Sequence, residues 1–253
     1  MAAILAFRRK SRRSGAPNGH MPIMDHIGEL RRRVLISALA VTVAAIVMFF
    51  FSNAVIEFLV TFYRDATHGN REALIVTGPT DAFVTRLKVA TYGGIVLALP
   101  VWLYQLWRFI TPGLSSKERK YAVPFVLASI VLFVIGAAIA LLTLEPALKF
   151  LIDVGGSAQK PLFTSDRYLS LVSLMIVAFG LSFEFPVVLV FLLIAGVLKT
   201  SQLRHARRWA IVGIVTFAAV ITPSQDPYSL FFMAVPMYVF YESSILIGRI
   251  LKK

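Results

Sequence analysis

Residues 179–190 read FGLSFEFPVVLV. Glu184 is the one ionisable residue in this apolar stretch, and Pro186 follows two positions later. The apolar run extends outward from Leu169 to Val197. A helix that spans a bilayer needs about 20 mostly apolar residues, so the run is long enough to cross. An ionisable group at that depth is costly unless it is paired, neutralised or wet. Glu184 is therefore either a protonated or water-exposed side chain that shapes the helix, or the mark of a functional site.

Composition supports the membrane reading. Of 253 residues, 58% are hydrophobic and only 15% are charged, against about 25% charged in a typical soluble domain. Mean hydropathy is +0.77. Cysteine is absent, which excludes disulfides, iron–sulfur clusters and thiol catalysis. The net charge of +13 reads as basic cytoplasmic loops rather than as a nucleic-acid surface.

Five further apolar runs accompany the first. They cover Val34–Phe51, Val89–Trp107 with Pro100 inside, Tyr121–Leu144, Trp209–Thr222, and Tyr228–Gly248 with Pro236 and Glu242 inside. The run at 209–222 rises only about 21 Å at 1.5 Å per residue. Its link to the last run is short and carries a proline, so the two form an antiparallel pair that reaches part-way across a normal bilayer. With the N-terminus inside, the cytoplasmic pieces are 1–33, 108–121, 198–208 and 249–253. They hold 8, 4, 4 and 3 of the Lys and Arg residues, together 19 of the 26. That bias predicts six spans with both termini cytoplasmic. Residues 1–20 form a basic tail, expected to be disordered beside anionic headgroups rather than a cleaved signal. Residues 21–248 are the membrane domain, and 249–253 are a basic C-terminal tail.

Catalytic signatures are missing. His20, His26, His68 and His205 all lie outside the apolar runs, and no HExxH, GxSxG, P-loop or dinucleotide pattern occurs. The reading contains no enzyme, no metal and no cofactor. Trp102, Tyr104, Trp107 and Phe109 form an aromatic belt before the Thr-Pro-Gly break. Glu118 then stands alone among Lys117, Arg119 and Lys120. Glu29 stands similarly beside Arg31, Arg32 and Arg33. Each is a solvated loop charge or, taken together, one of two carboxylates on a single cytoplasmic face, where a basic ligand would find bidentate partners.

Four stretches carry a family resemblance: HIGELRRR at 26–33, LPVWLYQLWRFITPGLSSKERK at 99–120, FGLSFEFPVVL at 179–189, and ITPSQDPYSLFFMAVPMYVFYE at 221–242. In order and spacing the chain resembles TatC, the multispanning core subunit of the twin-arginine protein translocase. The resemblance implies an all-α integral membrane protein, with six transmembrane helices in a curved, glove-like arrangement and short helices five and six. It also implies a receptor for signal peptides with paired arginines, which exports folded proteins on the proton-motive force. The implied partners are small single-span TatA/TatB-type subunits, in an oligomeric complex in the cytoplasmic membrane of a prokaryote. Glu118, Glu29, Phe109 and Arg31 match the family's signal-peptide surface, and Glu184 matches its intramembrane glutamate. Asp226 matches an external-loop acid, and Thr222 the place where helix five meets a partner helix. The loop TPSQDP is one residue longer than the family's TPPD form, and Leu230 stands where a polar side chain is often found.

Two other functional classes fit the sequence less well. A proton-coupled small-solute transporter using Glu184 would favour an internal repeat, and none is evident between 34–144 and 169–248. An intramembrane enzyme lacks a nucleophile–base pair. The charge count yields a direct test of topology. Single cysteines at Ser14, Ser116 or Ser201 are expected to be shielded from an impermeant thiol reagent added outside. Cysteines at Ser157 or Ser224 are expected to react. Outside labelling at position 116 would overturn the six-span model.

Overall fold

The computed structural model describes residues 23–67, 74–110, 122–155 and 163–250. Helices dominate these residues: α1 (Ile23–Ala66), α2 (Asp81–Leu97), α3 (Leu99–Ile110), α4 (Ala122–Val154), α5 (Ser165–Ser182), α6 (Phe185–Ile194), α7 (Thr200–His205), α8 (Arg207–Ile221) and α9 (Pro227–Ile250). Four segments are long and apolar enough to cross a membrane: Ile27–Ala66, Val123–Val154, Ser165–Ile194 and Pro227–Ile250. The α2–α3 pair, bent by 52°, is together long and apolar enough to make a fifth. The sixth apolar run is α8, whose 15 residues rise about 22 Å, short of a hydrocarbon core about 30 Å thick. Side chains such as Phe50, Leu142 and Val220 are more than 70% exposed, as expected where lipid replaces water around the fold.

Several helices outrun their apolar stretches. α1 has 44 residues and a length of about 66 Å at 1.5 Å per residue. It therefore projects well past the hydrocarbon, and it continues to Ala66, beyond the end of the apolar run at Phe51. α4 likewise continues to Val154 with Pro146 inside.

The breaks have local causes. Pro100 has no N–H, so the chain cannot carry a regular helix ladder from α2 into α3. The two helices part at Ala98, whose N–H bonds the Gly94 carbonyl at 2.9 Å. The Trp102 indole N–H donates to the Ile95 carbonyl at 3.0 Å and so satisfies a backbone acceptor at the bend. Pro186 acts in the same way at the start of α6. It leaves Phe183 and Glu184 as a turn between α5 and α6, with the Glu184 N–H bonded to Leu181 at 3.1 Å.

The core joins distant segments. Tyr63, Phe133, Tyr168, Phe179 and Phe183 are fully buried. The Tyr168 hydroxyl donates to the Leu59 carbonyl at 2.8 Å, fastening α5 to α1. The Tyr241 hydroxyl donates to the Leu203 carbonyl at 2.6 Å, fastening α9 to α7. At one end, Ile75 and Thr164 form a parallel bridge, and Lys88 pairs with Asp166 at 2.6 Å. These contacts tie the entry of α2 to the entry of α5.

Small residues set how closely the helices approach. A Cβ placed on Gly94 would lie 2.6 Å from the Ala45 backbone nitrogen, whereas one on Gly213 would meet nothing within 4 Å. Alanine is the better helix former by about 1 kcal/mol, so propensity alone favours both substitutions. The expected outcome is opposite at the two sites. Gly94→Ala forces α1 from α2 and lowers thermal stability by about 1–3 kcal/mol, while Gly213→Ala does not. Denaturation of both variants in nanodiscs measures the difference.

Candidate functional site

At the start of α1, Glu29 and Arg33 lie one turn apart and form an ion pair. Arg33 also donates to the Gln105 carbonyl at 3.3 Å, which fastens this turn to α3. Gln105 and Phe109 are themselves one helical turn apart, so the entry of α1 stands beside the turn that carries Phe109. Phe109 is half-buried and Arg31 exposed. One Glu29 oxygen takes the Arg33 contact, while the other, Oε2, is buried without a hydrogen-bond partner. Gly28, Arg31, Arg32, Leu35, Ile36 and Leu39 line an open groove of about 380 Å³ along the same helix. Its polar groups are cationic, so Glu29 is an acceptor set in basic surroundings. Arg108 sits 5.9 Å from the Tyr104 ring centroid. Glu118 lies outside the described residues.

The second polar centre lies at the α5–α6 turn. Glu184 is partly buried, and its Oε1 has no partner. The fully buried Ser129 of α4 has its hydroxyl within hydrogen-bonding reach of the Glu184 carboxyl. Ser129 Oγ in turn accepts from the Trp107 indole at 3.1 Å. Trp107 stacks on Phe125 with ring centroids 4.8 Å apart and meets Phe191 edge-on at 5.4 Å. Sequence alone identified Glu184 but not these partners. In the sequence Trp107 reads as part of an interfacial belt, and nothing marks Ser129 among the small residues of α4.

A third centre joins α8 and α9. Glu242 pairs with Arg207 at 2.7 Å and accepts from the Tyr238 hydroxyl at 3.2 Å. Glu242 therefore belongs to an inter-helix pair rather than simply reaching for the interface. Arg207, Tyr238, Glu242 and Arg249 contribute to a cavity of about 420 Å³.

Asp226 and Thr222 are both buried. Asp226 Oδ1 accepts the Ser229 backbone N–H at 2.8 Å, an N-cap that starts α9. The Thr222 hydroxyl faces the Met233 sulfur at 3.7 Å. Between them Gln225 takes φ 49°, a left-handed conformation that turns the chain back within the TPSQDP loop. Among the described residues no three His, Cys, Asp or Glu side chains gather as a metal site.

Residues 25–236 match the family of the Sec-independent protein translocase protein TatC. The chain belongs to the TatC family. A TatC of Frankia casuarinae is 41% identical over 241 residues, covering 91% of this chain and 66% of that protein. A TatC of Aquifex aeolicus is 37% identical over 237 residues, covering 91% of this chain and 95% of that one. A crystal structure of the twin-arginine translocase receptor TatC superposes with a TM-score of 0.75 and 36% identity, over 90% of this chain and 100% of the other. TatC membership makes the chain a multi-pass membrane component of a translocase, not a catalytic enzyme.

Proposed function

We propose that this TatC-family chain is the signal-peptide receptor and core subunit of a twin-arginine translocase in the cytoplasmic membrane of a prokaryote, with both termini cytoplasmic. Paired arginines of a signal peptide bind Glu118 and Glu29, with Phe109 as the apolar and cation–π wall and Arg31 on the same surface. The observation that carries the reading is Glu29. One of its oxygens is held by Arg33, and the other is buried without a partner. A guanidinium pairs with such a carboxylate bidentately, which a lysine ammonium cannot do. Each exposed pair is worth roughly 1 kcal/mol, and more where partly desolvated.

Folded cargo then crosses on the proton-motive force, together with small single-span TatA/TatB-type subunits in an oligomeric complex. Thr222 faces inward, so a partner helix meets this region through its exposed neighbours Val220 and Ile221. Asp226 holds the external turn from which α9 departs. Glu184 keeps its face of the fold wet at mid-membrane, and with the short α8 it thins the local bilayer where cargo passes.

Two measurements test this reading. In nanodiscs, Glu118→Ala is expected to weaken a twin-arginine signal peptide about tenfold or more, equivalent to 1.4 kcal/mol, while weakening a twin-lysine peptide little. Equal loss for both peptides would mean that Glu118 acts only as a general surface charge. A proton-coupled solute transporter would have no reason to tell the peptides apart. In membrane vesicles, Glu184→Ala is expected to impair export more than peptide binding, with Glu184→Gln milder. Complete loss of binding in Glu184→Ala would remove the membrane-thinning role.

A further inference from the structure

We propose that Trp107 and Ser129 are positioning residues that connect the receptor end of α3 to Glu184 through a one-way hydrogen-bond relay. An indole nitrogen only donates, so at the 3.1 Å contact Ser129 Oγ is the acceptor. The serine is left with one hydrogen to give. Buried hydroxyls in this chain commonly give theirs to a carbonyl one turn back in their own helix, as Ser182 does to Ala178 and Thr143 to Ile139. Ser129 has no such partner among the described residues, and the Glu184 carboxyl is within its reach. The relay therefore runs from Trp107 through Ser129 to Glu184, with every donor pointing the same way.

The three members come from three parts of the chain: α3, α4 and the α5–α6 turn. Phe125 and Phe191 close around the indole, and Trp107 and Ser129 are both buried. In such surroundings hydrogen bonds strengthen one another and water does not compete. The relay holds Glu184 from one side only, since its Oε1 is buried without a partner. Trp107 precedes Phe109 by two residues on one short helix. A ligand seated against Phe109 moves the turn that carries the indole, and Ser129 transmits that movement to the carboxyl. This coupling rests on the peptide-receptor reading above. The resting orientation of Glu184 does not.

Infrared difference spectroscopy on the full chain in nanodiscs tests both parts. The Glu184 carboxyl bands are those lost in Glu184→Gln. Without ligand, these bands are expected to shift in Ser129→Ala and Trp107→Phe and to return toward wild type in Ser129→Thr, which keeps the hydroxyl. Identical bands in wild type, Ser129→Ala and Trp107→Phe would overturn the relay, whichever of the two variants is the better folded. A twin-arginine peptide without Asp or Glu, amidated at its C-terminus, is then added. It is expected to shift the Glu184 bands in wild type and to leave them unmoved in Ser129→Ala and Trp107→Phe. A peptide that binds and moves the bands equally in all three proteins would overturn the coupling. A peptide that fails to bind wild type would count against the receptor reading instead, and the resting bands would still decide the relay.

Discussion

Hydrocarbon supplies no hydrogen-bond partners, so each polar group at membrane depth must find one within the chain or carry water with it. Much of the tertiary structure follows from that constraint. Where Pro100 ends the α2 ladder, the Trp102 indole serves the Ile95 carbonyl. Where Tyr168 and Tyr241 enter the core, each hydroxyl finds a backbone carbonyl on another element. These bonds are also the inter-helix fasteners. In lipid the hydrophobic effect does little to hold one apolar helix against another, so close packing and such bonds carry the association.

Glu184 is one place where the constraint is met incompletely. The α5–α6 turn brings it to Ser129, yet one of its oxygens has no partner. A group left in that condition attracts water or another polar group. Glu29 has a similar form near the end of α1, with one oxygen held and one not. Asp226 caps a helix through Oδ1 while its Oδ2 is likewise buried without a partner, whereas Glu242 is engaged at both oxygens, by Arg207 and Tyr238.

Chain length works together with these polar groups. α1 is far longer than a bilayer is thick, while α8 is too short to cross one. A fold containing both cannot present a uniform hydrophobic belt, and the lipid around α8 must thin or the helix must be covered. The short loop between α8 and α9 allows this geometry because Gln225 adopts a left-handed backbone and Asp226 immediately caps the next helix.

Sequence alone determined the class of the protein, because apolar run length and the distribution of Lys and Arg respond to bilayer thickness and to sidedness, both of which are one-dimensional properties. The prolines at 100 and 186 stand inside single apolar runs in the sequence, and the structure shows that each run divides into two helices there, since a missing N–H interrupts the ladder. Motif spacing was enough to bring out Glu29, Phe109, Arg31 and Glu184. Only the tertiary structure decided their partners. Arg33 meets Gln105 across 72 positions, and Tyr168 meets Leu59 across 109. No periodicity encodes a contact between residues so far apart. Ser129 shows this most clearly. In the sequence it is one small residue in an apolar helix, and only the packing of α3 on α4 brings the Trp107 indole to its hydroxyl.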